Sequence, residues 1–277
     1  NADMGPKASV RIQFEHMGDE LCYGTLLSKE KSTGPASAWD GRMESAPKEY
    51  MDPGIWEIFV NYKDPDGYYF LQRSWKVSES KELAWTYYPP GDFKILLYYP
   101  ETETFVSSGI YARYAFDTYY TVDMDGVDIG SVEYNDDLST NERIEAYRSY
   151  NYRQEMLALG ARIVLTILIE MLVALLFGFR QKKQLLILAV VNIITQIILN
   201  VLLNVINYNS GPLAFTFFYV LFELIVFALE AVLYCTILKR LSEKKKEDAY
   251  YILYSFVANL ISFGAGLFLA AKLPGMF

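Results

Sequence analysis

Two patterns of apolar and polar positions divide the chain near residue 155. After it, four nearly unbroken apolar runs occupy about 158–179, 185–207, 213–238 and 249–271. Each has the ~20 residues that a helix rising 1.5 Å per residue needs to cross a ~30 Å hydrocarbon core, so the pattern predicts four transmembrane helices. Before it, apolar positions alternate at a period near two. Ser9–Glu15 is one such run. Ile55–Tyr62 and Tyr68–Trp75 flank Lys63-Asp-Pro-Asp-Gly67, a turn signal; Phe93–Tyr99 follows Pro89-Pro-Gly91, and Gly109–Phe116 completes the series. β-Branched and aromatic residues dominate and turn residues recur at short intervals, which predicts an antiparallel β-sandwich of about seven strands over 1–136. Between the two regions, Ser139 and Glu142 have capping-box spacing, which predicts a juxtamembrane helix over 137–157 leading into the first span. The expected fold class is α+β by domains, a β-sandwich followed by a four-helix transmembrane bundle over 158–277.

Charge follows the same division. The chain carries a net charge of -8, but residues 1–155 hold 15 Lys and Arg against 27 Asp and Glu, and the remainder 10 against 6. An acidic first region argues against a nucleic-acid partner, because phosphate needs a basic surface. In the second region the connection 180–184 carries three positive charges, 239–248 carries five, and 207–212 carries none. The positive-inside rule then places 180–184 and 239–248 in the cytoplasm, and the first domain and C-terminus outside a plasma membrane. An exported domain ahead of the first span implies a removed signal peptide. Cys22 and Cys235 fall in different regions, so no disulfide framework is expected, which fits a bacterial surface. The two basic connections are too short to fold as a cytoplasmic domain.

The apolar runs are not purely hydrocarbon. Glu170 lies in the first. The second carries Asn192, Gln196, Asn200 and Asn204 at intervals of four, with Thr195 beside them. The third carries Glu223 and Glu230, seven apart and so on one helical face, and the fourth carries Ser255, Asn259 and Ser262. Polar faces inside a membrane turn toward one another rather than toward lipid. Counting residues from the span ends puts Glu170, Gln196, Glu223, Asn259 and Ser262 near the midplane and Asn192, Glu230 and Ser255 closer to the cytoplasm, with Arg162 at a span end. Three carboxylates with no cation at their level cannot all be charged in a dry bundle. The set Glu170, Asn192, Gln196, Asn200, Glu223, Glu230, Ser255, Asn259 and Ser262 is therefore the candidate site for a proton, a cation or a small cationic ligand. The competing expectation is that the same groups only lock helix packing.

The first region offers little other chemistry. Asp64 and Asp66, and Asp123, Asp125 and Asp128, are weak candidates for a metal; neither group has the spacing of a calcium loop, and turn chemistry is the simpler expectation. His16 is the one histidine, and no nucleophile motif accompanies it, so an enzyme is not the preferred reading. No cofactor is predicted. The abundant tyrosines are expected to fill a core that lacks disulfides.

Two resemblances add to this. The Asp64-Pro-Asp-Gly-Tyr-Tyr-Phe70 turn followed by Phe93–Tyr98 resembles the units of prealbumin-like and Cna-B-like surface sandwiches, which implies a fold and no activity. The stretches Thr166–Glu170, Val191–Asn200, Phe222–Tyr234 and Ala258–Gly264 resemble a family of uncharacterised membrane proteins of Gram-positive bacteria with an exported domain and four spans. Taken together, the expectation is a transport component that handles a proton, a cation or a small cationic ligand, built as a homo-oligomer or with other membrane subunits. The alternative is a non-catalytic subunit or receptor-like assembly protein whose exported domain binds an extracellular protein or glycan.

Overall fold

The computed structural model describes residues 5–30, 32–33, 36–39, 51–129, 142–242 and 245–272. The chain forms two units, Asn1–Tyr150 and Asn151–Phe277. Sheets build the first and long apolar helices the second, so the class is α+β with sheet preceding helix.

In the first unit the elements are β1 (Ser9–Glu15), β2 (Tyr23–Ser28), the small hairpin β3 (Ser32–Thr33) and β4 (Ala36–Ser37), α1 (Pro53–Asn61), β5 (Tyr69–Phe70), β6 (Trp75–Lys76) and the single turn α2 (Val77–Ser80). Then come β7 (Glu82–Trp85), β8 (Asp92–Tyr99), β9 (Thr104–Ser108), β10 (Tyr111–Ala112), β11 (Asp117–Asp123), β12 (Glu142–Ile144) and β13 (Ala146–Arg148). One sheet has the order β13-β11-β1-β7. The other has the order β12-β9-β8-β2-β5, with β10 added to β8 and β6 to β2. The two sheets share a core in which Val10, Ile12 and Phe14 of β1 and Tyr120 and Val122 of β11 meet Phe93, Ile95, Leu97 and Tyr99 of β8. The alternate β8 residues Leu96 and Tyr98 point the other way and pack on Ile55 and Phe59 of α1. The period of two along β8 thus serves two cores at once, and the tyrosines at 98, 99 and 120 are core residues, as the composition implied.

Three expectations fail here. Residues 55–62 form a helix, not a strand. Asp52 caps it by accepting from the Gly54 N–H at 2.8 Å and the Ile55 N–H at 3.1 Å, and Pro53 occupies the first turn. That cap favours a helix, and the four-residue spacing of Ile55 and Phe59 gives it one buried face. The sheets are not wholly antiparallel: β1 pairs with β11 in parallel, and β12 with β9. Neither pair is joined by a hairpin, Ser9 pairing with Asp117 and Glu142 with Ser107, so their direction is open until the core aligns them. Finally, the helix expected over 137–157 is absent from 142–151. β12 and β13 add one strand to each sheet there, and the helix starts only at Tyr152, capped by Asn151 accepting from the Gln154 N–H at 3.2 Å. Residues 137–141 lie outside the described residues.

The second unit has three helices long and apolar enough to cross a membrane, over Tyr152–Leu176, Lys182–Leu241 and Asp248–Phe268. We label them α3 (Tyr152–Leu176), α4 (Lys182–Leu233) continued through a π-helical turn (Tyr234–Leu238) and the short α5 (Lys239–Leu241), and α6 (Asp248–Lys272). The expected runs 185–207 and 213–238 are therefore one helical stretch, interrupted only at Gly211, whose φ of 81° and ψ of -178° belong to glycine alone. Pro212 follows, and because it has no N–H the break orphans no donor there. The two arms fold back on each other. Asn192 bonds Tyr234, Thr195 bonds Glu230, and Leu199 and Leu203 pack with Val226.

Candidate functional site

The polar positions of the helical unit sit as the spacing predicted on their own helices. Every residue of the candidate set is buried except Glu223, which is half-buried. They do not form the two levels expected, however. They form an inner cluster of carboxylates and amides, and a cavity beside it.

Glu170 on α3 and Glu230 on the second arm of α4 anchor the inner cluster, both with no exposed surface. Glu230 is fully engaged: Thr195 Oγ1 donates to its Oε1 at 2.9 Å and Asn259 Nδ2 to its Oε2 at 2.7 Å. Asn259 also donates to the Ser255 carbonyl at 3.0 Å, which fixes its rotamer from its own helix. Asn192 Nδ2 donates to the Leu188 carbonyl at 3.0 Å and to the Tyr234 hydroxyl at 3.3 Å. Ser255 donates to the Phe227 carbonyl at 3.4 Å and Ser262 to the Asn259 carbonyl at 3.1 Å. Glu170 differs. Its carboxyl neighbours Asn192, Ser262 and Glu230, yet both its oxygens, together with Asn192 Oδ1 and Asn259 Oδ1, are buried without a hydrogen-bond partner among the described residues. Buried acceptors of this kind are costly unless a donor satisfies them, and Asn192 and Ser262 are the side chains nearest to supply one to Glu170.

An aromatic plug closes one end of the cluster. Phe179, Tyr234, Tyr251 and Tyr254 pack with Leu188 and Leu238 in a single buried group. The Tyr250 hydroxyl donates to the Phe177 carbonyl, and Gln184 and Tyr251 both bond Ser242 Oγ, at 2.9 and 3.2 Å. Toward Gly211 the cluster gives way to a cavity of about 290 Å³, lined among others by Arg162, Gln196, Asn200, Glu223 and Ser262. Gln196, Asn200 and Glu223 thus belong to the cavity rather than to the inner cluster, and Arg162, expected at a span end, lines the cavity with them. Its own spacing carried the signal: Arg162, Thr166 and Glu170 recur every four residues on one face of α3. Counting residues from the start of the apolar run had placed Arg162 at a span end.

In the first unit, the weak metal candidates do not assemble. Among the described residues no group of three or more His, Cys, Asp or Glu is placed to hold a metal ion. Asp123 accepts from the Asp125 N–H at 3.0 Å and bonds His16 Nδ1 at 2.8 Å, while Asp128 lies near Arg143. These are turn and ion-pair roles. The Asp123 hydrogen bond holds the exposed His16 above its ordinary range. Asp64 and Asp66 are taken by the buried Lys94, at 3.0 and 2.7 Å. Comparison with protein-family models, with curated proteins and with solved structures finds no match to this chain.

Proposed function

We propose that the helical unit crosses the membrane four times and that its inner cluster takes up a proton or a small cation, making the protein a transport component with an exported sandwich domain. The observation that carries this reading is Glu170, inaccessible and with neither oxygen in a close hydrogen bond among the described residues, although Asn192 and Ser262 stand beside it, next to a second carboxylate that has two close donors. A buried carboxylate with no partner is among the costliest groups in hydrocarbon, and an arriving proton or cation relieves that cost where further packing does not. The aromatic plug on one side and the cavity on the other favour exchange from the Gly211 end. Four crossings are also the natural reading of a 60-residue helical stretch, about 90 Å long at 1.5 Å per residue, that folds back at Gly211. Few spans for a lone transporter point to a homo-oligomer or a larger membrane complex.

The test is flux. In liposomes holding the purified protein, Glu170→Gln, which keeps shape and removes the acid, is expected to lower proton or sodium flux at least tenfold while the protein stays monodisperse. Flux unchanged by Glu170→Gln would overturn the proposal. A second reading, an assembly subunit that binds a glycan or protein through its first unit, draws on the exposed Tyr87 and Tyr88, which meet edge to face with ring centroids 4.7 Å apart. It predicts no flux from either protein, and glycan or partner binding that Tyr87→Ala weakens.

A further inference from the structure

The cations of the helical unit gather at the end away from Gly211. The connections 180–184 and 239–248 carry eight Lys and Arg against three Asp and Glu, and the structure ties the two together. Gln184 makes the link. Its Oε1 accepts from the Gln181 N–H at 3.4 Å, capping α4, and its Nε2 donates to Ser242 Oγ at 2.9 Å. The Tyr251 hydroxyl donates to the same Oγ at 3.2 Å and accepts from the Lys246 N–H at 3.5 Å. Against this knot the rings of Phe179, Tyr250 and Tyr251 pack together. Both connections are thereby held on one surface before any ligand arrives.

Most of the charge on that surface is uncompensated. Lys239 is taken by Asp248 at 2.7 Å. Arg180, Lys182, Lys183, Arg240, Lys245 and Lys246 are exposed, and among the described residues no carboxylate lies within ion-pair distance of any of them. Lys246 instead has its Nζ 5.1 Å from the Tyr250 ring centroid, a pairing of cation and aromatic that suits the headgroup level of a membrane. Like charges so arranged repel, and a shared anion relieves the repulsion. The surroundings decide which anion. Leu176, just before Arg180, is 85% exposed, and Leu186, just after Lys183, is 64% exposed. A soluble anion leaves these apolar faces uncovered, whereas a lipid covers them with its chains while its phosphodiester meets the cations. We propose that this end of the helical unit binds the headgroups of anionic phospholipids, held between the cations of the two connections. The inference rests on the reading that these helices cross a membrane, which cysteine labelling checks without lipid, and not on ion uptake at Glu170, so each can fail alone.

The experiment is native mass spectrometry of the full chain in neutral detergent, titrated with phosphatidylglycerol. Phosphatidylcholine is the control without net charge and glycerol 3-phosphate the soluble headgroup. Phosphatidylglycerol is expected to bind about tenfold tighter than phosphatidylcholine. Neutralising one connection by Arg180→Gln, Lys182→Gln and Lys183→Gln together, or the other by Arg240→Gln, Lys245→Gln and Lys246→Gln together, should abolish that preference. All six side chains are exposed, so both variants are expected to fold. Ser242→Ala changes no charge but unties the connections, and should weaken phosphatidylglycerol binding about threefold or more by lost preorganisation. Equal binding of the two lipids, a preference that survives either triple variant, or glycerol 3-phosphate bound as tightly as the lipid would overturn the proposal. So would phosphatidylglycerol binding untouched by Ser242→Ala, which would reduce the site to diffuse charge attraction.

Discussion

Lys94 lies in the middle of β8 with no exposed side-chain surface, its ammonium 3.0 Å from the equally buried Asp64 and 2.7 Å from Asp66, which is 44% exposed. Burial works against the charge, but the hydrogen bonds to Asp66 and Asp64 outweigh it and hold Lys94 above the ordinary amine range; the Lys94 hydrogen bond in turn holds Asp66 below its own. The carboxylate contribution is present above the unfolded carboxylate pKa and lost as pH falls through the folded value. The amine contribution is present below the unfolded lysine pKa and lost as pH rises through the folded one. Stability from the triad is therefore flat across neutral pH. Lys94→Met strands Asp64 and is expected to cost about 3 kcal/mol, the low end for a buried pair broken on one side, because Asp66 is partly solvated and Asp64 keeps two backbone donors. All four tryptophans lie in the first unit, so denaturant unfolding followed by tryptophan fluorescence reads this unit alone; a loss below about 1 kcal/mol would contradict the assignment. The acidic turn was visible in the sequence as a candidate for calcium. What the sequence withheld was the lysine opposite it, 28 residues away, because a strand pattern says which face a residue takes and not which loop covers that face.

At the scale of elements, local rules worked where one periodicity dominated. β1, β8 and the apolar helices fall within a few residues of their expected places, since period and length alone specify them. They failed where two readings competed: 55–62 is apolar enough for a strand, and only the Asp52 cap and Pro53 tip it to helix. They failed also at 142–148, where pairing with β9 and β11 overrides a helical capping pattern. Gly211 is the element whose conformation matters most. A side chain at its φ of 81° and ψ of -178° is strained by about 1–3 kcal/mol, so Gly211→Ala should lower the thermal midpoint of the helical unit, followed by far-UV circular dichroism in detergent. A midpoint equal to that of the unaltered protein would mean that the two arms do not depend on this break.

For the whole molecule, the proposed four crossings can be checked by labelling. Cys22 is buried and its thiol is pushed up to about 12 by desolvation, so it stays silent to maleimides and only Cys235→Ser is needed as background. An impermeant maleimide is expected to label Asn209→Cys on intact cells, and Lys183→Cys and Lys245→Cys only after lysis; the reverse pattern would invert the topology. Taken alone, the sequence determined that an acidic, strand-rich unit precedes long apolar helices, and that each helix carries one polar face. Both follow from composition and periodicity, which are properties of each segment by itself. Only the tertiary structure decided that Glu230 is held by two close donors while neither oxygen of Glu170 makes a close hydrogen bond among the described residues, that Glu223 lines the same cavity as Arg162, and that two strands run parallel to their neighbours. Those outcomes depend on which helix or strand lies alongside which, and contacts between distant segments follow from packing, where no repeat along the chain records them.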